Sequence, residues 1–460
     1  MTVLSSAPTA PTARNAAMVV IGGGPPPPQR PELRHDGAAR ERLLKSLPPA
    51  ARVLAWRGQA ASLRQAYEAS HPGCSWHEVS SPDELDATRG PYDLIVLGEG
   101  LDALDDPLAV LQALRARAHA LSTLALNLGH DPSLDMLQRW VEADLTDDAC
   151  RTAGNGRQRS FASATKLLMD SGWMPTLTDA VVDAARDDAF ARSALALAAA
   201  AGVPAATAQR QWRMRRGIVH AQATFEPCAT PQRRANFAVV VPTTRDTQLR
   251  VNVDASPGLH EVGARVISVR HASSPADALA RALEHVTEDW VLLCHQDVYF
   301  ARSFGSRLAD WLDQIPADQR ERTLIGFAGV GVNAQRQDYE PAGFVIDRTS
   351  RFDHAASEHA VSIDELALVL PRESLLRIDA SLGWHLWATD LCLQAICTHR
   401  FFARIVRAPL FHNSHSDYQL PAAFHASAAR LLAKHAGFGP IHTLCGVIDE
   451  RFPEQAPAPR

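Results

Sequence analysis

Short apolar runs separated by amphipathic stretches recur along most of this chain. Arg52-Val53-Leu54-Ala55-Trp56, Tyr92 to Leu97 and Thr123 to Asn127 predict strands, with helices over Ala60 to Ala69 and Leu108 to His119 between them. This alternation implies parallel strands covered by helices over residues 50–180. Residues 181–233 are rich in Ala and Arg and predict a helical connector, punctuated by Pro204 and Pro227. A second α/β unit is expected over 235–445. Its strands are Phe237 to Pro242, Ala264 to Val269, Trp290 to Cys294 and Thr323 to Ala328, and its helices Pro275 to His285 and Phe304 to Ile315. Gly329-Val330-Gly331 predicts a turn, Ile363 to Leu370 and Phe402 to Val406 strands, and Ala388 to Thr398 a helix. The fold class is therefore α/β with two Rossmann-like units.

The two ends lack this patterning. Residues 1–48 are dominated by Ala, Pro, Ser and Arg, with four prolines from Pro25 to Pro28. Too little apolar surface is available there to offset ordering entropy, so a disordered tail is expected. Met18 to Gly24 looks like the opening of a dinucleotide-binding turn, but the prolines behind it forbid the helix that would hold a pyrophosphate. Residues 446–460 are expected to form a C-terminal tail.

Composition narrows the function classes. At 460 residues, 46% hydrophobic, the chain is long enough for two or three packed domains. A net charge of −5 provides no global basic field, so nucleic acid is not expected as a partner. No run approaches a transmembrane segment and the N-terminus lacks a secretory pattern. Seven cysteines without a C-x-x-C pair predict reduced thiols and a cytoplasmic location. Cys392 and Cys397 have a poor zinc spacing and read as packing residues.

Candidate chemistry gathers in the second unit. The apolar run from Trp290 stops at His295-Gln296-Asp297, and ligands in open α/β sheets bind beyond the carboxyl ends of strands. Asp297 thus stands where a metal-bound phosphate would lie, or is a simple polar strand terminus. Pro242, Thr243 and Thr244 follow another strand and offer a lip for a nucleotide base. Ser274 precedes a proline-started helix, as a cap or as part of a phosphate site. Asp390 falls in the first turn of a helix, where the dipole favours an acid; inverting sugar transfer also needs a carboxylate base. Trp384 and Trp387 beside it suit stacking on a sugar face.

Taken together, His295 to Phe300, Gly326 to Gly331, Trp387-Ala388-Thr389-Asp390-Leu391-Cys392-Leu393 and Phe411 to Ser416 resemble a family 2-like GT-A glycosyltransferase, of the streptomycin-biosynthesis type. The resemblance covers residues 237 to about 420. It implies a nucleotide-diphosphate sugar as donor, Asp297 as ligand of a divalent ion (Mn²⁺ or Mg²⁺), and His412 or His415 completing the metal shell. It also implies Asp390 as general base and Asp364 on the acceptor side. The family's Asp-x-Asp motif has lost its first acid here, which is His295. A glycan, a protein or a small molecule is the expected acceptor.

The first unit resembles a class I S-adenosylmethionine-dependent methyltransferase over residues 50–180. The resemblance rests on Tyr92 to Leu104 with Asp105-Asp106-Pro107, on Arg159-Ser160-Phe161, and on Ser171-Gly172-Trp173. The turn after its first strand, Trp56-Arg57-Gly58-Gln59-Ala60, lacks the glycines that close approach to the cofactor requires, so the domain reads as degenerate. Glu78 could still meet a ribose, or be a solvated strand-end acid. The alternatives to glycosyl transfer are methyl transfer to a glycan and a non-catalytic two-domain scaffold.

Overall fold

A computed structural model describes residues 37–56, 60–98, 101, 104–128, 161–180, 192, 195–200, 205, 208–209, 217–225, 234–333, 335–336, 338–348, 350–398, 401–414 and 420–452. From Ala38 onward the described residues belong to one compact unit. The proline run and Gly22 to Gly24 lie outside the described residues. The stretch expected to be a disordered tail ends instead in a helix, α1 (Gly37–Ser46). Leu43 and Leu47 are buried with Val53, Tyr67 and Leu94, so this segment finds the apolar partners that its composition alone does not promise.

The first sheet has the order β2-β1-β3-β4-β6-β5. Its members are β1 (Arg52–Trp56), β2 (Ser75–Val79), β3 (Tyr92–Gly98), β4 (Ala118–Leu128), β5 (Met174–Ala180) and β6 (Gly217–Gln222). β1 to β4 are parallel and β6 runs antiparallel between β4 and β5. Helices α2 (Ala60–Ser70), α3 (Pro82–Ala87), α4 (Pro107–Arg115) and α5 (Phe161–Asp170) connect the strands. Asp106 caps α4 by accepting a hydrogen bond from the Ala109 N–H, with proline following in the first turn. β6 corrects the connector assignment: Ile218 and Val219 are fully buried, and they complete the first sheet from beyond residue 180.

The second α/β sheet has the order β17-β11-β16-β9-β7-β8, from β7 (Phe237–Thr243), β8 (Arg265–Arg270), β9 (Trp290–Cys294), β11 (Thr323–Gly326), β16 (Ala367–Pro371) and β17 (Phe402–Ile405). β7 is parallel to both β8 and β9, whereas β16 runs antiparallel to β9. All five residues of β9 are buried, as the unbroken apolar run Trp290 to Cys294 requires.

A further sheet contains β10 (Val298–Phe300), β12 (Ala328–Asn333), β13 (Asp338–Asp347), β14 (Ser350–Asp353), β15 (Ala360–Ile363) and β18 (Leu410–His412). The expected turn at Gly329 to Gly331 is strand β12 instead. A Cβ on Gly329 would stand 2.2 Å from the Ser362 carbonyl oxygen, so the glycine serves close strand approach rather than chain reversal. Helices α6 (Asp246–Val251), α7 (Pro257–His260), α8 (Pro275–Leu283), α9 (Phe304–Gln314), α10 (Trp387–Thr398) and α11 (Ala422–Lys434) complete the unit. The expected C-terminal tail begins inside a hairpin, β19 (Ile441–Thr443) with β20 (Gly446–Ile448), whose Ile441 and Ile448 are buried with Leu386 and Phe424. Among the described residues, no helix is long and apolar enough to cross a membrane.

Candidate functional site: a cleft at the strand ends

Because β7 has parallel neighbours on both sides, connections leave its end in opposite directions and open a crevice there. A cleft of about 360 Å³ occupies this position. It is lined by Pro242, Thr243 and Thr244 at the end of β7, Val269 and Ala272 at the end of β8, His295, Gln296 and Asp297 after β9, and Trp384. Its size falls within the range of small-ligand sites.

The floor carries a ligand set. One nitrogen of His295, one oxygen of Asp297 and one nitrogen of His412 all lie within 4.8 Å of one another. Asp297 follows β9 and precedes β10, His412 ends β18, and the pairing of Val298 with His412 brings them together. His412 Nε2 stands 3.5 Å from Asp297 Oδ1, and its Nδ1 stands 2.9 Å from Asp347 Oδ1. A carboxylate behind a metal-binding imidazole fixes its tautomer and orientation, and Asp347 is so placed. This donor set fits a divalent ion, and two imidazoles favour Mn²⁺ over Mg²⁺.

In the floor, Asp297 and His412 reinforce each other's charge. Burial pushes the Asp297 carboxyl up, but His412 and His295 outweigh it and hold the group well below the carboxylate range. For His412, burial works against the proton, yet Asp297 and Asp347 push its pKa up to about 10. His295, whose edge is open to solvent, is held below its ordinary range, first by desolvation and then by His412, against the pull of Asp297 and Asp364.

The other expected site residues divide. Trp384 is 42% exposed and lines the cleft. Asp364 is partly buried; its Oδ1 accepts from the Leu366 N–H at 3.0 Å, and the Leu366 carbonyl accepts from His295 N, which sets the acid's turn alongside the cleft floor. The Thr243 hydroxyl donates to Val241 O and accepts from Ser268, so it braces the lip. Ser274 is committed to capping α8: its Oγ accepts from Asp277 N at 3.1 Å. Trp387 is 2% exposed and packs in the core with Leu370 and Leu376, which removes it as a sugar platform. His415 lies outside the described residues.

Asp390 is corrected as well. It has no exposed surface, and both oxygens are taken. Oδ2 accepts from Gln394 at 2.6 Å and pairs with Lys434 at 2.9 Å, while Oδ1 lies 2.8 Å from His435 Nε2. The acid ties α10 to α11, and an acceptor hydroxyl has no access to it. A base must come within hydrogen-bond reach of the proton it takes.

Two residues of consequence escape the sequence pattern. Gln296 clamps the lip of the cleft: its Oε1 accepts from Thr244 N at 2.9 Å and Arg245 N at 2.8 Å, and its Nε2 donates to Thr244 Oγ1. Glu365 is a carboxyl with one buried oxygen lacking a hydrogen-bond partner. Burial first, then the charge of Asp364, push its pKa up to about 8, against backbone hydrogen bonds from Leu386 and Ala388. Gln296 lies inside the strand-end motif; Glu365 adjoins Asp364 but carries no signal of its own.

No family model matches the chain, and no curated protein matches it. Among solved structures, a chain of the complex between the Haloferax volcanii Trm112 methyltransferase activator and a methyltransferase is similar at 13% identity and a TM-score of 0.27, over 41% of this chain and 90% of that one. The pyocyanin biosynthetic protein PhzM is similar at 14% identity and a TM-score of 0.26, over 41% of this chain. The mitomycin 7-O-methyltransferase MmcR gives 13% and 0.26, over 40%. The match spans 55% of PhzM and 52% of MmcR, about half the length of each. At such identities and TM-scores, these likenesses carry nothing about this chain's activity.

Proposed function

We propose that the chain transfers a sugar from a nucleoside-diphosphate donor to an acceptor hydroxyl, with the donor held in the cleft at the end of β7. The convergence of His295, Asp297 and His412 at the end of β9, beside a lip of backbone groups and Trp384, carries this reading. The base would lie against Pro242 to Thr244, and the diphosphate toward Asp297. When bound, a divalent ion supplies positive charge to the departing diphosphate. Asp297, His295 and His412 would hold it, the ion displacing the proton from His412 Nε2, and Asp347 would hold the His412 ring through Nδ1.

The acceptor's proton needs a carboxylate. With Asp390 locked in an ion cluster and Glu365 neutral at pH 7, we assign that role to Asp364. The Asp364→Asn variant should lose roughly 10²- to 10⁴-fold in transfer while binding a nucleoside diphosphate as the parent does. Unchanged transfer would remove Asp364 from the mechanism.

A second reading rests on the first sheet, where the order β2-β1-β3 sets another strand-end crevice at β1 and β3. S-adenosylmethionine-dependent methyl transfer would use that crevice. The turn after β1, residues 57–59, lies outside the described residues. Saturable binding of S-adenosylmethionine, insensitive to Asp297→Ala, would favour this reading.

A further inference from the structure

Helix α5 packs on the first sheet through Ala164 and Leu168, yet two of its polar side chains, Lys166 and Asp170, reach segments that carry the cleft. Asp170 Oδ2 accepts from the Tyr299 hydroxyl at 2.6 Å, and its Oδ1 from the Arg302 N–H at 3.2 Å. Lys166 Nζ donates to the Val251 carbonyl and, at 2.9 Å, to Asn252 Oδ1. It also stands 4.8 Å from the centre of the Tyr299 ring. Both side chains contact Tyr299, which lies two residues beyond Asp297.

The connections continue to both strand ends of the ligand set. The same Asn252 Oδ1 accepts from Asn413 Nδ2 at 3.1 Å, and Asn413 N donates to the Asp297 carbonyl at 2.8 Å. Tyr299 pairs with Phe411 across β10 and β18, and both pack with Met169 of α5. Thus Asp297 is gripped on one side through Tyr299 and on the other through Asn413. His412 lies between Phe411 and Asn413, which the same contacts hold.

We infer that helix α5 positions the ligand set of the cleft, with Lys166 and Asp170 acting as positioning residues through Tyr299, Asn252 and Asn413. The inference rests on the reading of His295, Asp297 and His412 as a metal site. A metal ligand is useful only within about 0.2 Å of its place, so a strut that fixes β10 against β18 sets affinity for the ion. The first sheet then serves the second as a brace, whatever else it binds.

The test is Mn²⁺ affinity of the full chain, read by the electron paramagnetic resonance signal of the free ion, with thermal midpoints measured alongside. Tyr299→Phe deletes only the hydroxyl, and Lys166→Met keeps the stem over the ring while removing its hydrogen bonds. Each should weaken Mn²⁺ binding by about tenfold, the lower end of what removing a supporting residue does to a metal site. Arg351→Met is the control. Arg351 also bridges the two halves, donating to Gln222, Thr224 and the Met174 carbonyl, without touching Tyr299, Asn252 or Asn413. It should leave the affinity unchanged. Parental affinity in both test variants would overturn the inference, and so would an equal fall in Arg351→Met. A parent protein that takes up no Mn²⁺ would instead refute the metal reading of the cleft, and this inference with it.

Discussion

Glu365 offers a quantitative test of the electrostatics around the cleft. Its carboxyl accepts from the N–H groups of Leu386 and Ala388, which favour the charged form, but burial and the charge of Asp364 outweigh them and Oε1 is left buried without a partner, so the neutral acid is favoured. The folded pKa of about 8 stands above the ordinary 4.5. Between these values the folded chain keeps a proton that the unfolded chain releases, so stability is complete below 4.5 and falls as pH rises toward 8. At about 1.4 kcal/mol per pH unit, the loss from about pH 5 to about pH 8.5 is about 4 kcal/mol. A glutamine in place of Glu365 would mimic the neutral acid, with its amide oxygen toward the two N–H groups, and would not titrate. In Glu365→Gln, thermal unfolding followed by circular dichroism from about pH 5 to about pH 9 should therefore show a stability gain over the parent that grows with pH. With about 2.1 cal/mol/K of unfolding entropy per residue, the midpoint gap should widen by roughly 4 °C for a chain of this length. Every other titrating group is common to both proteins, and any fixed packing cost of the amide is independent of pH. Parallel curves, or a gap that closes as pH rises, would refute the reasoning.

Asp390→Ala would leave the buried His435 without its partner and Lys434 with Asp379 alone, and should destabilise the protein by about 1–3 kcal/mol in urea denaturation; equal affinity for nucleoside diphosphate in the folded variant would separate this from a role in the cleft. Gln296→Ala releases the lip at Thr244 and Arg245, and should weaken nucleoside-diphosphate binding by about tenfold without changing Mn²⁺ affinity, both read by calorimetry. Gly329→Ala forces a methyl group against the Ser362 carbonyl, and should lower stability by roughly 1–3 kcal/mol; an unchanged midpoint would mean that β12 and β15 separate freely.

Much of the α/β framework was legible because its central strands are buried on both faces, as Leu94 to Leu97 and Trp290 to Cys294 are, and such strands appear as unbroken apolar runs. Glycine is ambiguous in the same reading. It marks reversal when its backbone freedom is used, and close packing when its missing Cβ is used; Gly329 belongs to the second case. Ile218-Val219 sits in an Ala-rich context that favours helix, and only pairing with β4 and β5 makes it a strand. In the cleft, Asp297 was legible as an acid at the end of an apolar strand. Asp390 was not, because a first-turn acid suits a helix dipole, a catalytic base and a buried strut equally well. Its partners Lys434 and His435 lie 44 and 45 residues away, beyond any local pattern. The Glu365 pKa is raised first by its burial in three dimensions, which the chain around it does not reveal.

Calorimetry with UDP, with and without Mn²⁺, on the full chain and on Asp297→Ala tests the central claim most directly. The account predicts that the parent binds UDP more tightly with Mn²⁺ and that Asp297→Ala loses this enhancement. Failure of the parent to bind UDP or any other nucleoside diphosphate, or an enhancement that survives in Asp297→Ala, would contradict it.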